Sequence, residues 1–549
     1  MEGRTFATAE ARGGDYADRS LTRRTLCENG EMRATGTGDP PQQLSPRAVL
    51  LLVGVAALAR THALLEPDGM VLGWRQADML SVARNYFRND FHLFYPQIDW
   101  GGAGPGFLEM ELPIVSFLTA FLWRVFGPHE LLAGVIPVAC GLGTVVVLAR
   151  LATRLAGPAA GFAAGLFAAA SPLFAWYGAT FQEEAPMLFA SVHAVSAMEH
   201  WLETDAPRDL VLAGLFTSLA VLVKATALLI WLPLLYVFWE KWRWSFLRRP
   251  AFWIFGALVL VPPVLWYAHA HGLYVKWGNT VGVLSGGYDK FARRDVLLSS
   301  KFWVRIPVRI FVYVLTPLGT FCFLAGVRRR TRGPAPFLLH AWLSAFLVYV
   351  FVVARGNQEM DYYQLPLLPA AAAFAGVGLA GAVGGLNSWR ARGTLVLLLI
   401  VNFVLARHVY LLRAAREIVR DGRVNRAAGH AVARVTEPGS LLIVTTGYGG
   451  SRRPDEIDTP PEIFYHADRR GWFVSLPWLT PEAVSLRRRQ GARYLVVPGE
   501  DLAGFHSSGS AGTLLARYPR RVEASDLLIL DLSVDRTLTE GAALPTMPP

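Results

Sequence analysis

Long apolar stretches recur along most of this chain, and short polar links separate them. Between residues 47 and 412 the stretches run to roughly 18–25 residues, which lets a helix cross the hydrocarbon core of a bilayer. Such a helix satisfies its own backbone hydrogen bonds where no water can. The pattern predicts about eleven spans, at residues 48–65, 131–153, 159–179, 185–203, 208–223, 225–240, 251–269, 304–327, 336–354, 362–384 and 394–412.

One further apolar segment, residues 112–127, is short and follows a polar loop. Counting it as a span would invert every later link and turn the RRRTR cluster at residues 328–332 away from the cytoplasm, against the positive-inside rule. The segment is therefore predicted to be a juxtamembrane or re-entrant helix.

Charge in the links predicts the orientation of the spans. With a cytoplasmic N-terminus, the basic residues fall in successive cytoplasmic links, at residues 150–154, 208, 241–249, 328–332 and 390–392. The outer links hold most of the carboxylates, at residues 66–111, 181–184, 271–301 and 355–361. An odd number of spans places the C-terminal segment outside the cytoplasm.

Composition supports a multi-pass protein of the plasma or inner membrane. Of the 549 residues, 53% are hydrophobic, and the mean hydropathy is +0.33, which is too apolar for a soluble chain of this size. The net charge of +11 comes largely from membrane-flanking Arg and Lys, so no nucleic-acid partner is predicted. Cys140 and Cys322 fall within apolar runs and are interpreted as small core residues.

Four regions follow from these patterns. Residues 1–46 are polar and predict a disordered cytoplasmic tail, and residues 47–412 form the transmembrane domain. Residues 413–540 predict a small extracytoplasmic α/β domain, with buried strands at 440–446, 492–498 and 526–532 and a helix at 480–490. Residues 541–549 form a loose tail. The predicted fold class is an all-α polytopic domain followed by this α/β domain.

Polar residues gather on the outer face of this topology. Taken singly, each has an ordinary explanation: a solvated loop carboxylate, a snorkelling lysine or an aromatic belt. Their common face favours a functional site, because charges at the edges of apolar helices tend to mark substrate pathways. The candidates are Arg75, Gln76, Asp78, Glu109, Glu111, Glu183, Glu184, Lys224, Arg355, Glu359, Asp361, Tyr362 and Tyr363.

This mixture of residue types suits one kind of chemistry. A carboxylate can deprotonate an acceptor hydroxyl, and cations near the membrane surface can bind a phosphate and stabilise the charge on a phosphate leaving group. A base and a phosphate cradle beside lipid suggest glycosyl transfer from a lipid-phosphate sugar.

Five segments resemble the GT-C superfamily of integral-membrane glycosyltransferases, in particular the family of protein O-mannosyltransferases and the lipid A aminoarabinose transferase. The resemblance covers residues 48–412. The segments are WRQADMLSVARNYF (74–87), ELPIVSFLTAFLWRVFGPHE (111–130), SPLFAWYGATFQEEAPMLF (171–189), LAVLVKATALLIWLP (219–233) and DYYQLPLLPA (361–370).

The resemblance implies roles for several of these residues. Asp78 would be the catalytic carboxylate of the first loop, and Glu184, with Glu183 beside it, would match the second acidic position. Lys224 and the Tyr362–Tyr363 pair would lie near the lipid-phosphate carrier. Two departures are visible: the family's Asp-Glu pair aligns with Arg75 and Gln76, and Glu111 replaces a common Lys or His.

The resemblance also implies a reaction and its partners. The donor would be a polyprenyl-phosphate sugar, the acceptor a lipid, glycan or protein outside the cytoplasm, and the sugar would invert at its anomeric carbon. Arg75, Lys224 and Arg355 are the predicted phosphate cradle. No cofactor is required by the pattern, although the carboxylates would permit a divalent metal such as Mg or Mn.

Two alternative functions remain open from the sequence. A flippase or other transporter of lipid-linked sugars would be expected to show paired halves with matching broken helices. A non-catalytic membrane subunit would instead present the α/β domain to a partner.

Overall fold

The computed structural model describes residues 43–61, 73–285, 289–446 and 461–536. Apart from residues 43–46, the two predicted tails lie outside the described residues. So do residues 62–72, which include the end of the first predicted span.

Helices dominate the chain as far as residue 435. They are α1 Pro46–Arg60, α2 Trp74–Arg88, α3 Ile114–Phe126, α4 Glu130–Ala156, α5 Pro158–Ala170, α6 Pro172–Tyr177, α7 Glu184–Thr204, α8 Pro207–Val223, α9 Trp231–Trp242, α10 Pro250–Trp277, α11 Arg294–Leu297, α12 Ser300–Val308, α13 Pro317–Gly326, α14 Leu338–Val352, α15 Ala354–Glu359, α16 Leu368–Gly384, α17 Trp389–Tyr410 and α18 Arg416–Val435. Short 3₁₀ segments lie at Ala225–Ile230, Arg243–Arg248 and Asp361–Leu367, and π-helical turns lie at Arg309–Val314 and Leu411–Ala415.

Fewer helices than predicted are long and apolar enough to cross a membrane unaided. Among the described residues there are four, at Glu130–Ala156, Pro250–Trp277, Asp361–Gly384 and Trp389–Val435, or five with one bent pair. The other predicted spans coincide with helices that are shorter, more polar or broken. The periodic apolar pattern locates such segments but does not show where a turn interrupts them.

Two of the interruptions have clear local causes. The pair Ser300–Val314 and Pro317–Gly326 bends by 93°, because Pro317 cannot continue the preceding helix and Thr316 adopts a φ of 67° while its side chain caps Gly319. The second lies at Lys224, between the predicted spans 208–223 and 225–240, where an extended backbone ends α8 before a 3₁₀ turn.

The segment interpreted as a juxtamembrane helix is α3, which has 13 residues. One side buries Val115, Ala120 and Trp123, while Leu118, Phe121, Val125 and Phe126 are exposed. A helix this short does not cross a bilayer. Its exposed apolar side suits the membrane interface.

The boundary predicted at residues 412 and 413 falls inside a continuous helix. Residues Trp389–Val435 form one helical run that includes the π-helical turn at Leu411–Ala415. Hydropathy falls after residue 412, yet the backbone continues, because polar residues with good helix propensity extend a helix as readily as apolar ones.

A five-stranded sheet follows this helix. Its strands are β3 Leu441–Thr446, β4 Arg470–Ser475, β5 Ala492–Pro498, β6 Arg520–Ala524 and β7 Leu527–Asp531, and its helices are α19 Glu462–Ala467, α20 Pro481–Arg489, α21 Gly499–Ser507 and α22 Ala511–Arg517. The spatial order is β4-β3-β5-β7-β6. Strand β3 is parallel to its neighbours β4 and β5, and β7 is antiparallel to its neighbours β5 and β6.

The three predicted strands and the predicted helix at 480–490 are confirmed, and Thr480 caps that helix by accepting from the Ala483 amide. Strands β4 and β6 were not predicted. In β6 most side chains are exposed, so its sequence lacks the alternation of apolar and polar residues that indicates a half-buried strand.

The two faces of the sheet pack against different parts of the chain. Leu442 and Val444 of β3 point to a core that contains Val82 and Trp100 of the first loop, whereas Ile443 points to the core under α20–α22. The described part of the first loop (residues 73–111) is thus held between the membrane helices and the sheet. A two-residue parallel pairing of β1, Leu108–Glu109, with β2, Asn279–Thr280, anchors its far end.

Candidate active site

Helix α2 carries the first group of candidate residues into the interior. The amide of Gly73 donates to Gln76 Oε1 at 2.6 Å and fixes the start of the helix. Arg75, Gln76 and Asp78 are all buried, although each is polar. Buried polar side chains need partners, and the partners come from three other segments of the chain.

Arg75 joins two carboxylates that are distant in sequence. Its Nη2 lies 2.6 Å from Glu111 Oε2 and 2.8 Å from Glu183 Oε1. Burial alone would raise the pKa of Glu111, but Arg75 and then Lys290 outweigh it and lower that pKa. Burial raises the pKa of Glu183 despite Arg75, with the neighbouring Glu111 and Glu184 adding to the shift. The three groups form one buried ionic unit.

Lys224 forms the second ionic contact of the site. Its ammonium pairs with Glu184 at the start of α7, and it lies 4.8 Å from the ring centre of Tyr362 and 5.2 Å from that of Tyr363. A cation over aromatic faces is stabilised by their quadrupoles. The structure thus brings together Glu184, Lys224 and the tyrosine pair.

Asp78 faces a tryptophan rather than a cation. Its Oδ1 accepts a hydrogen bond from Trp100 Nε1 at 2.8 Å, and 3% of the residue is exposed. Burial raises the pKa of Asp78 to about 7, against the opposing effects of Trp100 and Arg75. A carboxyl with a pKa near neutrality can exchange a proton at physiological pH.

Comparisons with known proteins concern the fold that holds these residues. Residues 110–267 match the family model of dolichyl-phosphate-mannose-protein mannosyltransferases. ArnT from Cupriavidus metallidurans, in the apo state, aligns with a TM-score of 0.58 over 88% of this chain and 97% of ArnT, at 15% identity. The Archaeoglobus fulgidus oligosaccharyltransferase tethered with an acceptor peptide aligns with a TM-score of 0.55 over 86% of this chain and 72% of its own, at 12% identity. No curated protein matches the chain significantly by sequence.

The chain has the GT-C fold. The resemblance inferred from the five sequence segments is therefore confirmed, and the apolar helices identify an integral membrane protein. The family match includes Glu111, Glu183, Glu184 and Lys224 but begins after α2.

Within this GT-C fold, several predicted residues lie apart from the ionic unit. Glu109 is fully buried and accepts from Thr280 Oγ1 at 2.6 Å and Ser285 Oγ at 2.9 Å. Asp361 accepts from the hydroxyls of Tyr177 and Tyr410, at 2.6 and 3.0 Å. Asp361 is thus held in place by neutral donors, and Glu109 lies in addition 3.7 Å from His271 Nδ1.

The predicted phosphate cradle is only partly assembled. Arg75 and Lys224 belong to neighbouring ionic contacts, but Arg355 pairs with Glu359 at 3.0 Å on the same short helix, with about a third of each side chain exposed. Gln76 bonds to Gln182 Oε1 at 2.6 Å and so helps to join α2 to the segment before α7.

Lys290 is a cation of the site that sequence reasoning missed. It interacts electrostatically with Glu111, Lys224 and Arg75, and burial lowers its pKa. It lies between β2 and α11, where the sequence shows no helical or strand pattern. Only the tertiary structure brings that loop to the site.

The link between Arg84 and Asp99 was missed as well. Arg84 Nη2 lies 2.5 Å from Asp99 Oδ2, and Nη1 donates to the Tyr465 carbonyl at 2.6 Å. These contacts hold the segment around Trp100 against α2 and α19, and so they position the tryptophan that contacts Asp78.

Glu462 adds a second buried acid near Asp78. It begins α19, its Oε2 has no hydrogen-bond partner among the described residues, and burial together with Asp78 raises its pKa to about 8. No group of three or more His, Cys, Asp or Glu side chains in the described ranges is arranged to hold a metal. A role for Mg or Mn stays a prediction.

Proposed function

We propose that the protein is a glycosyltransferase that takes a sugar from a polyprenyl-phosphate donor on the outer face of the membrane. Asp78 is the base that activates the acceptor hydroxyl. The observation that carries the proposal is the buried carboxyl of Asp78, which has a pKa of about 7 and interacts electrostatically with Arg75 of the buried ionic unit. The GT-C fold supports the same class of reaction.

The proposed reaction is a single displacement. The acceptor hydroxyl gives its proton to Asp78 Oδ2, since Oδ1 is engaged by Trp100, and its oxygen forms a bond to the anomeric carbon. The bond from that carbon to the phosphate oxygen breaks, and the electron pair leaves with the phosphate. The anomeric centre inverts, as one base without a covalent intermediate requires.

Cations stabilise the leaving phosphate in this proposal. Lys224 and Lys290 interact electrostatically with each other and with the Glu111–Arg75 pair. A phosphate that enters between them would relieve the repulsion of the two ammonium groups, and charge-assisted hydrogen bonds would hold its oxygens. Arg355, which has its own carboxylate, is not needed for this cradle.

Apolar side chains next to Lys224 suit the lipid part of the donor. They line a small cavity of about 30 Å³ and include Met187, Leu188, Trp342, Phe346 and Tyr349. Met187 and Leu188 follow Glu184 on α7, so the cavity lies next to the proposed phosphate cradle. ArnT binds undecaprenyl phosphate and the archaeal oligosaccharyltransferase AglB binds dolichol phosphate, and this chain is proposed to bind a lipid of that class.

Donor turnover tests the proposal. The purified protein in nanodiscs is incubated with a panel of polyprenyl-phosphate sugars and acceptor extracts, and release of polyprenyl phosphate is measured. Asp78→Asn should reduce release at least about a hundredfold, as loss of a general base does, while donor binding is kept.

The matched control is Asp90→Asn, which changes an exposed carboxylate just after the same helix and should leave release unchanged. Full activity of Asp78→Asn would overturn the assignment of the base. Transport of intact donor without release would favour the transporter instead.

A further inference from the structure

A second, open cleft lies between the first loop and the sheet, away from the apolar cavity. Its volume is about 260 Å³, just below the range of about 300–1,000 Å³ typical of small-molecule sites. Two tryptophans line it, Trp277 at the end of α10 and Trp472 on β4, together with Asn279, Gln490 and the glycine-rich segment 101–106. We propose that this cleft binds a sugar unit of a glycan acceptor. The proposal rests on the proposed glycosyltransferase function.

Backbone contacts fix the glycine-rich segment against the sheet. The amide of Gly102 donates to the Gly471 carbonyl at 2.7 Å, and the amide of Gly471 donates to the Asp99 carbonyl at 3.0 Å. Gly102 has a φ of 76°, and a Cβ there would lie 2.4 Å from Trp472 Nε1. Glycine is therefore required for the indole to approach the loop this closely.

Both indoles are held before any ligand arrives. Lys276 Nζ lies 5.2 Å from the ring centre of Trp277, and the Arg487 guanidinium lies 5.4 Å from that of Trp472. Phe107 packs edge-on against Trp277 at 5.6 Å. Aromatic platforms fixed in this way lose little conformational entropy on binding.

The lining favours a neutral, hydroxyl-rich ligand. Among the described residues that form the cleft, the side chains are indoles, carboxamides and the small Gly and Ala, with no ionisable group. A sugar ring offers C–H faces to indoles and hydroxyls to carboxamides. The cations next to the lining are already engaged: Lys276 with Trp277, Arg487 with Trp472, and Arg470 with the Gly104 carbonyl. Trp277 alone could be an interfacial anchor, but Trp472 lies on a strand of the α/β region and faces the same cleft.

The position of the cleft assigns it to the acceptor rather than to the donor. Trp100, which donates to Asp78 Oδ1, directly precedes Gly101 of the cleft wall. A ligand in the cleft thus lies along the segment that holds the proposed base, while Lys224 and the apolar cavity lie with the membrane helices.

Variants of the cleft test the proposal in the full-length protein. Trp277→Ala should raise the KM for oligosaccharide acceptors roughly tenfold, as loss of a binding aromatic does. The KM for the donor and the rate at which water alone hydrolyses the donor should stay unchanged. Gly104→Leu should have the same effect by filling the cleft, since a Cβ at Gly104 meets nothing closer than Trp277 at 4.0 Å. Gly512→Leu, at a site with no heavy atom within 4 Å, is the control and should change neither KM.

Direct binding separates this inference from the proposed function. Saturation-transfer NMR with a panel of neutral oligosaccharides should show contact with the wild type and with Asp78→Asn, and loss of contact in Trp277→Ala and Gly104→Leu. Contact that persists in both folded cleft variants, or contact by no sugar in the panel, would overturn the cleft assignment whatever the donor assay shows. Sugar contact without donor turnover would keep the cleft and remove the transferase proposal.

Discussion

The ionic unit around Arg75 and the short helix α15 look alike in the sequence, since each places basic and acidic residues in a predicted outer link. In the structure they differ. Arg75 is buried against Glu111 and Glu183, which come from positions 36 and 108 residues away. Arg355 pairs with its helical neighbour Glu359, and both side chains are about a third exposed. The same residue types therefore act as a buried core in one region and as a surface pair in the other.

The comparison teaches that burial, not charge, separates a candidate site from a solvated link. An exposed pair contributes about 0–1 kcal/mol, because water and ions screen it. A buried charge that loses its partner costs several kcal/mol, because it stays desolvated without compensation. The two regions should therefore respond very differently to the removal of one charge.

The largest effect is expected for Arg75→Met. The change leaves Glu111 and Glu183 buried without their shared cation and should destabilise the fold by about 3–5 kcal/mol, measured by thermal and denaturant unfolding in detergent. Adding Glu183→Gln should restore part of that loss, because it removes one of the two uncompensated charges. A full-length Arg75→Met protein as stable as wild type would show that the unit is not a structural core.

An intermediate effect is expected from pH. Since burial raises the pKa of Asp78 to about 7, the base is protonated and inactive at lower pH. The rate kcat/KM for transfer should fall about tenfold per unit below pH 7 and level off above it. An ascending limb near pH 4, the value of a solvated aspartate, would place the base elsewhere.

The smallest effect is expected for Glu359→Gln. Removal of an exposed i,i+4 pair should change stability by less than about 0.5 kcal/mol and leave the pH profile unchanged. A loss as large as that of Arg75→Met would erase the contrast between the two regions and restore Arg355 to the phosphate cradle.

Local patterns predicted much of the fold. Apolar periodicity located α4, α10 and the helical run from Trp389, and alternation with buried runs located β3, β5 and β7. One break was invisible, the 93° bend at Thr316, because capping and turn geometry act over a few residues and leave hydropathy unchanged. The break at Lys224 falls between two predicted spans. Strand β6 was missed because its side chains are mostly exposed.

The sequence by itself determined the class of protein, the candidate carboxylates and the GT-C resemblance, since these depend on composition, spacing and short motifs. Only the tertiary structure decided which charges meet. It joined Arg75 to Glu183 and Lys224 to Glu184, brought Lys290 to the same cluster, placed Trp100 on Asp78 and formed the cleft between Trp277 and Trp472. These contacts join residues tens to hundreds of positions apart, and their energies depend on a burial that no single segment of the chain can create.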